Sequence, residues 1–137
     1  MRHWLLKSEP SAYSWEQLVA DGRTAWNGVR NFQAANNLKA MAVGDRAFFY
    51  HSNEGLAIVG IVEIAKAAYP DPGDKTGRFV MVDVKPVAPV RVPVTLAQIK
   101  AEKKLADLAL VRQSRLSVVP VSAEEWRILC KMGGVAP

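Results

Sequence analysis

The sequence predicts an α+β domain with a small, curved or closed sheet of mainly antiparallel strands. Apolar runs of strand length follow one another through the middle of the chain and are joined by short turns. Segments with helix-capping signals lie nearer the two ends, and strands and helices do not alternate regularly. A doubly wound parallel sheet requires that alternation, so it is disfavoured. At 137 residues we expect one domain over residues 1–137.

The first strand is expected over Arg2–Lys7 and ends before Pro10, because proline lacks the amide that a central strand uses. Ser14 stands three residues before Gln17, which is the spacing of a capping box. This spacing predicts a short helix that Gly22 terminates.

A turn-rich link over Trp26–Asn31 leads into a second predicted helix, Phe32–Met41, which Asn31 is placed to cap. Two apolar segments, Arg46–Ser52 and Leu56–Ala65, then predict a hairpin.

A further strand is expected over Arg78–Lys85, after which prolines are expected to interrupt the sheet. These prolines are Pro86, Pro89 and Pro93. The rest of the chain predicts a helix, a short helical turn, a strand and a last helix, and both helices open with a capping-box spacing, Thr95 to Gln98 and Ser122 to Glu125. In that order, the segments are Thr95–Glu102, Ala106–Leu110, Leu116–Val121 and Ser122–Gly133.

The net charge is +5, and the chain has no basic tail. Two windows, residues 22–44 and 108–123, contain no acidic residue. Their cationic residues are Arg23, Arg30, Lys39, Arg112 and Arg115. If the windows meet in space, they form a basic face suited to nucleic acid. The alternative is that these are ordinary solvated charges.

Motifs of common catalytic and cofactor sites are absent from the sequence. It contains no phosphate-binding loop, no dinucleotide-binding glycine motif, no zinc-protease motif and no nucleophile elbow. Cys130 lies next to Leu129 in the last predicted helix and is interpreted as a core residue. The two histidines, His3 and His51, are too few to indicate a metal site, and nothing marks a Ser8–His51 pair as catalytic. We therefore expect no cofactor, no metal and no enzymatic activity.

The cellular location is predicted from the apolar runs and the single cysteine. The longest apolar run, Gly55–Val62, is too short to span a bilayer, and Lys7 and Glu9 interrupt the first residues where a signal peptide would be apolar. A single cysteine fits a reducing compartment. We expect a cytoplasmic protein without membrane association, whose oligomeric state the sequence leaves open.

Trp26 is the tryptophan best placed to bind a ligand. It lies in the predicted link, near Arg23, Asn27 and Arg30, and a tryptophan among such side chains suits a flat nucleobase. The alternative is a tryptophan that closes the top of the core.

A second candidate is the turn Lys7-Ser8-Glu9, because a carboxylate can accept from the exocyclic amine of cytosine and a lysine can contact phosphate. The alternative is a strand-end turn with a surface salt bridge. Tyr50-His51-Ser52, at the end of another predicted strand, points either inward or to solvent.

Several motifs in order along the chain resemble the EVE domain, a member of the PUA-like superfamily that also contains the YTH and ASCH domains. The motifs are WLLKSEP, YSW, WNGVRNFQAANNL, MAVGDRAFFYHS, GIVEIAKAAYPDP and LVRQSRLSVVPVSAEEW. The resemblance implies a PUA-like fold, with a barrel-like mixed sheet of five or six strands and surrounding helices. It also implies a pocket for a flipped, modified base, with modified cytosine in DNA as the leading candidate.

The resemblance also implies the residues around this pocket. Lys7, Ser8 and Glu9 would line it, and Trp26 would form one wall of an aromatic cage. The second aromatic wall of YTH domains has no counterpart at an aligned position, and the alternatives are that Tyr13, Tyr69 or Phe79 supplies it or that the pocket is less complete. The full set implied for base and nucleic-acid binding is Lys7, Ser8, Glu9, Tyr13, Trp26, Asn27, Gly28, Val29, Arg30, Asn31, His51, Ser52, Arg112, Arg115 and Ser117.

The resulting hypothesis is a reader of modified bases. A basic rim binds backbone phosphates, a nucleotide is extruded, its base stacks on Trp26, and polar groups of Ser8, Glu9, Asn27 and Asn31 read its edge. The alternatives are an RNA-binding module, an enzyme acting on modified nucleotides with Glu9 or His51 as general base, and a plain interaction module.

Overall fold

A six-stranded mixed sheet organises the chain, and the computed structural model describes all residues 1–137. The strands are His3–Ser8 (β1), Thr24–Trp26 (β2), Arg46–His51 (β3), Ala57–Pro70 (β4), Val80–Thr95 (β5) and Val118–Val121 (β6). The spatial order is β2-β5-β4-β3-β1-β6, with β1 and β3 parallel and the other neighbours antiparallel. The predicted α+β class with a five- or six-stranded PUA-like sheet is confirmed, and the sheet is open rather than closed.

Five helices surround the sheet. They are Trp15–Asp21 (α1), Phe32–Ala40 (α2), Leu96–Ala101 (α3), Ala109–Arg112 (α4) and Ala123–Gly133 (α5), with a 3₁₀ turn at Lys103–Leu105. The predicted caps are present: Ser14, Asn31, Thr95 and Ser122 each accept a backbone hydrogen bond in the first turn of the helix that follows. No helix is both long and apolar enough to cross a membrane.

The proline-rich segment after Lys85 continues the sheet, contrary to prediction. β5 runs through Pro86, Pro89 and Pro93 to Thr95. β5 lies between β2 and β4 in the sheet. β2 pairs only with residues 82–84 of β5, so at the prolines β4 is the single strand partner of β5. The pairing of β4 with β5 is also irregular at several positions, and such bulges tolerate a missing amide.

Several predicted boundaries were also wrong. Trp26 belongs to β2 rather than to a loop, and β4 continues to Pro70 instead of ending at Ala65. β5 begins at Val80 rather than Arg78, and β6 begins at Val118 rather than Leu116.

The core lies on both faces of the sheet, as the two adjacent phenylalanines of β3 show. Phe48 stacks on Trp126 of α5 at a centroid distance of 4.0 Å. Phe49 points to the opposite face, where its ring meets the rings of Trp15 and Trp26 edge-on, each at 5.6 Å. Cys130 is fully buried in this core, and burial raises its thiol pKa to about 11, in agreement with its predicted packing role.

Candidate functional site

The end of β1 forms a turn that hydrogen bonds fix. The backbone N–H groups of Ala12 and Tyr13 donate to the Glu9 carbonyl at 2.9 and 2.8 Å. The Ser8 hydroxyl donates to the Tyr13 carbonyl at 2.6 Å, and the Ser52 N–H donates to the Ser8 carbonyl at 2.9 Å. These bonds tie the predicted Lys7-Ser8-Glu9 cluster to the end of β3. Glu9 is exposed, and its carboxylate takes part in none of the four ion pairs of the structure.

Trp26 both packs on the core and borders a cavity. The residue is 8% exposed, and its ring lies edge-on to Phe49, at an interplanar angle of 86°. The cavity, which we call the Trp26 cavity, has a volume of about 450 Å³, within the range of small-molecule pockets. Its lining residues are Lys7, Ser8, Glu9, Ala12, Tyr13, Thr24, Ala25, Trp26 and Asn27. Six residues of the predicted set therefore meet at one cavity, namely Lys7, Ser8, Glu9, Tyr13, Trp26 and Asn27.

A second cavity of about 450 Å³, the Arg115 cavity, shares Lys7 and Glu9 with the first. Three other predicted residues line it, namely Ser52, Arg115 and Ser117. The lining residues outside that predicted set are Tyr50, Asn53, Leu56, Leu96, Lys100, Leu110, Val111 and Ser114. The predicted residues thus divide between two adjacent cavities instead of surrounding a single one.

Positive charge predominates around the Arg115 cavity. Its cations are Lys7, Lys100 and Arg115, and its only carboxylate is Glu9. The Lys7 ammonium donates to the Ser114 carbonyl at 2.8 Å, and burial lowers its pKa. Neither Lys100 nor Arg115 takes part in an ion pair, so both cations are free to meet an anion.

The segment Gly28–Asn31 lies outside the Trp26 cavity, and Asp71 fixes its first part. The backbone N–H of Gly28 and the guanidinium of Arg30 both donate to Asp71 Oδ2 at 2.9 Å. The Gly28 hydrogen bond is the largest of the causes that lower the Asp71 pKa, and the bond from Arg30 adds to it. Gly28 has φ +81°, a conformation that favours glycine. Val29 is buried, and the Asn31 side chain accepts from Ala34 N–H at 3.0 Å as the cap of α2.

His51 has a structural contact. Its Nε2 accepts a hydrogen bond from the Trp15 backbone N–H at 3.2 Å, and burial lowers the His51 pKa. The ring lines neither the Trp26 cavity nor the Arg115 cavity. The lone pair that a general base would use is therefore already occupied.

The two acid-free windows meet, but carboxylates pair with three of their arginines. A surface groove of about 330 Å³ contains residues of both windows, and the Asn37 side chain of the first donates to the Val118 carbonyl of the second at 2.8 Å. The ion pairs are Arg23–Asp83 at 2.9 Å, Arg30–Asp71 at 2.9 Å and Arg112–Asp107 at 2.8 Å. The three aspartates come from outside the windows, so the positive field is weaker than the sequence count suggested. Arg112 lines this groove and not the two cavities.

Of the three candidates for a second aromatic wall, only Tyr13 reaches the Trp26 cavity. Its hydroxyl donates to Asp21 at 2.8 Å, which ties it to the end of α1. The hydroxyl of Tyr69 donates to Asp83, and Phe79 stacks on Phe32.

Asp71 is the organising residue that sequence reasoning missed. It is 3% exposed and accepts hydrogen bonds from Gly28, Gly73 and Arg30. The signal available in the sequence was the run Asp71-Pro72-Gly73-Asp74, since aspartates in such turns commonly bind nearby backbone amides.

The family model, the related sequences and the solved structures that match this chain agree with one another. The family model described as EVE domain matches residues 2–132. A protein of Rhodopseudomonas palustris with a solved structure is 60% identical, with a TM-score of 0.93 over 98% of this chain and 94% of that chain. The crystal structure of human THYN1 protein in complex with 5-methylcytosine containing DNA is 34% identical, with a TM-score of 0.92 over 100% of both chains.

Full-length relatives extend beyond the matched region. Human thymocyte nuclear protein 1 is 36% identical over 90% of this chain, and the match covers 70% of the human protein. The corresponding share of the chicken protein is 65%, at 39% identity. Because the family model spans nearly the whole chain and relatives of more than 30% identity align along it, the chain belongs to the EVE domain family.

Proposed function

We propose that this chain is a nucleic-acid-binding reader that holds a flipped, modified base, most favourably modified cytosine in DNA, in the Trp26 cavity. The observation that carries the proposal is the meeting of Trp26, Glu9 and Lys7 at one cavity of about 450 Å³. The human THYN1 protein, of the same family, was crystallised with DNA that contains 5-methylcytosine, which supports this choice of ligand.

Each group at the cavity has a role in this proposal. Trp26 stacks on the base, and Tyr13 faces the base from the turn after β1. Extruding a nucleotide from a duplex costs about a few kcal/mol, which stacking and edge contacts offset. Glu9 accepts a hydrogen bond from the exocyclic amine of cytosine. Of the other readers expected from the sequence, Asn27 and Ser8 are at the cavity, whereas Asn31 caps α2.

A methyl group on cytosine requires an apolar contact. Two alanines, Ala12 and Ala25, are among the apolar residues that line the Trp26 cavity. A single methylene or methyl group in an apolar pocket gives roughly 10–200-fold discrimination. We therefore expect a selectivity for modified cytosine within that range.

The backbone of the nucleic acid is held by the neighbouring Arg115 cavity. Lys7 belongs to both cavities, so a phosphate bound by Arg115 and Lys100 lies next to the nucleotide whose base enters the first cavity. Contacts of this kind fix position without reading sequence.

The hydrogen bond and the position of His51 favour binding rather than catalysis. Its Nε2 accepts from a backbone amide, and the ring lies outside both cavities, so one of the two candidate general bases is removed. The remaining candidate, Glu9, suits the hydrogen bond to cytosine. Incubation with a modified nucleoside or oligonucleotide should accordingly return it chemically unchanged.

Titration of DNA duplexes tests the proposal. The duplexes are identical except for one central cytosine, which is plain or 5-methylated, and each is also compared with an RNA of the same sequence. We expect tighter binding of the methylated duplex than of the plain one. Equal affinity for the two duplexes contradicts the modified-base proposal, and tighter binding of the RNA favours the RNA-binding alternative.

A further inference from the structure

Two phenylalanines form a stacked pair on the surface, outside both cavities. Phe32 begins α2 and is 61% exposed, although it is a large apolar side chain. Phe79 is half-buried just before β5, and the two ring centroids are 5.2 Å apart at an interplanar angle of 28°. One face of the Phe32 ring is therefore exposed to solvent, and the other face lies on the partly buried Phe79 ring.

The backbone that carries the Phe79 ring is fixed by hydrogen bonds. Asp74 accepts hydrogen bonds from the backbone N–H groups of Thr76, Arg78 and Phe79 at 3.0, 2.9 and 2.8 Å. With the Thr76 hydroxyl as the largest cause, these bonds lower the Asp74 pKa to about 2. The Phe79 carbonyl in turn accepts from Asp71 N–H at 3.2 Å. The surface aromatic pair is preorganised by its loop.

The charge around the pair is complementary to a polyanion. The Arg30 guanidinium lies 5.5 Å from the centre of the Phe79 ring, and its side chain is 41% exposed. Lys75 and Arg78, in the loop that carries Phe79, are exposed and take part in no ion pair. Of the two carboxylates nearby, Asp74 is engaged by backbone amides, and Asp71 is engaged by backbone amides and by Arg30 itself, so Lys75 and Arg78 are the unpaired cations. Exposed aromatic rings among cations are the arrangement on which single-stranded bases stack.

The chain connects this surface to the Trp26 cavity. Phe32 follows Trp26 by six residues, which limits the separation of their Cα atoms to about 20 Å. Asp71 makes the connection rigid, because the same carboxylate oxygen binds Gly28, next to the cavity residue Asn27, and Arg30, beside Phe79.

We propose that the exposed face of Phe32 stacks an unpaired nucleobase that flanks the base held in the Trp26 cavity. This inference rests on the proposed function and adds a second contact with a single-stranded segment of the same nucleic acid. The Phe32 contact is independent of base identity, because every base has a π-face.

Binding of short single-stranded DNA tests this contact. One oligonucleotide carries a central 5-methylcytosine between normal nucleotides, and a second carries the same base between abasic sites. Phe32→Ala should weaken binding of the first by roughly 5- to 150-fold and leave binding of the second unchanged. Phe32→Leu, which keeps apolar area but no ring, should behave like Phe32→Ala, whereas Phe32→Trp should retain binding. Val43→Ala, at an apolar residue that is 65% exposed, is the control, and this variant should bind both oligonucleotides as the wild type does.

The outcomes separate this inference from the function on which it rests. If the wild type prefers methylated cytosine in the duplex titration but Phe32→Ala binds both oligonucleotides like the wild type, the proposed Phe32 contact is wrong. The proposed binding of the base in the Trp26 cavity is then unaffected. If wild type shows no preference for the methyl group, the modified-base function fails by that measurement alone. Retained binding by Phe32→Leu, or a concentration-dependent dimer that Phe32→Ala abolishes, would assign the exposed ring to a general apolar contact or to self-association and overturn the inference.

Discussion

The Arg30 guanidinium donates to the carboxylate of Asp71 at 2.9 Å, and this aspartate is only 3% exposed. The pair links the loop before β5 to the segment that leaves the Trp26 cavity. The same carboxylate also accepts hydrogen bonds from the backbone N–H groups of Gly28 and Gly73. It therefore takes the place of the carbonyl acceptors that a helix or strand would provide for these N–H groups. An arginine assigned from the sequence to a binding face is thus partly committed to holding the fold.

Asp71→Asn should lower the free energy of unfolding by about 1–3 kcal/mol, because a buried acceptor loses its charge and one of its partners. Chemical denaturation followed by tryptophan fluorescence measures the change. Asp107→Asn is the matched control, since Asp107 pairs with Arg112 but is 88% exposed, and an exposed pair contributes about 0–1 kcal/mol. Equal effects of the two variants would contradict the role given to Asp71.

Trp26→Phe should weaken binding of methylated DNA and preserve the fold, because a ring remains against Phe49 but offers less area to a stacked base. We expect a loss of about 1 kcal/mol, at the low end of the effect of one stacked base. Trp126→Phe is the control, since Trp126 packs on Phe48 and lines neither cavity. It should affect stability without affecting binding, and the reverse pattern would remove Trp26 from the site.

Local signals in the sequence were sufficient for the helix caps but not for the extent of the strands or for the site. The caps at Ser14, Asn31, Thr95 and Ser122 depend on residues within one helical turn, and all four formed as predicted. The prolines of β5 were misjudged because their tolerance depends on how far β2 extends along the neighbouring strand, which the sequence does not show.

The same limit applies to charge and to the cavities. The window that contains Arg23 and Arg30 has no acid, yet Asp83 and Asp71 reach it from distant segments. The division of the predicted site into two cavities on either side of Lys7 also depends on tertiary packing. The family resemblance indicates the set of residues, and the tertiary fold sets the position of each one.

Glu9→Gln should weaken binding of DNA with an extrudable cytosine, because the carboxylate accepts from the exocyclic amine and such a contact contributes about 1–3 kcal/mol of discrimination. The direction of the change in DNA affinity distinguishes two roles of Glu9. If Glu9 is only an exposed charge near the phosphates, removing it reduces repulsion and binding becomes tighter. Glu54→Gln, another exposed glutamate that lines neither cavity, is the control and should change binding little.

Arg115→Ala should weaken binding of plain and methylated DNA to the same extent and reduce the dependence of affinity on salt, because one phosphate contact is lost. The slope of log K against log salt concentration should fall by about 0.7–0.9. Arg112→Ala removes a guanidinium that Asp107 already pairs, and the slope should change less. A change in the selectivity for methylated cytosine on Arg115→Ala would contradict its assignment to the backbone.

Stability should fall as the pH is lowered from 7 to 5, because of the two histidines. Burial lowers the pKa of both His3 and His51 from 6.5, so in this range the unfolded chain binds protons more readily than the folded chain. The stabilisation is complete above about pH 6.5 and is lost as the pH falls through the folded pKa values. His51→Gln keeps an acceptor for the Trp15 N–H without a titratable group and should reduce the loss, while His3→Gln combined with it should remove most of the remainder. Urea unfolding at pH 7, 6 and 5 measures these differences, and a wild-type stability that does not change over this range would show that His51 does not titrate with folding.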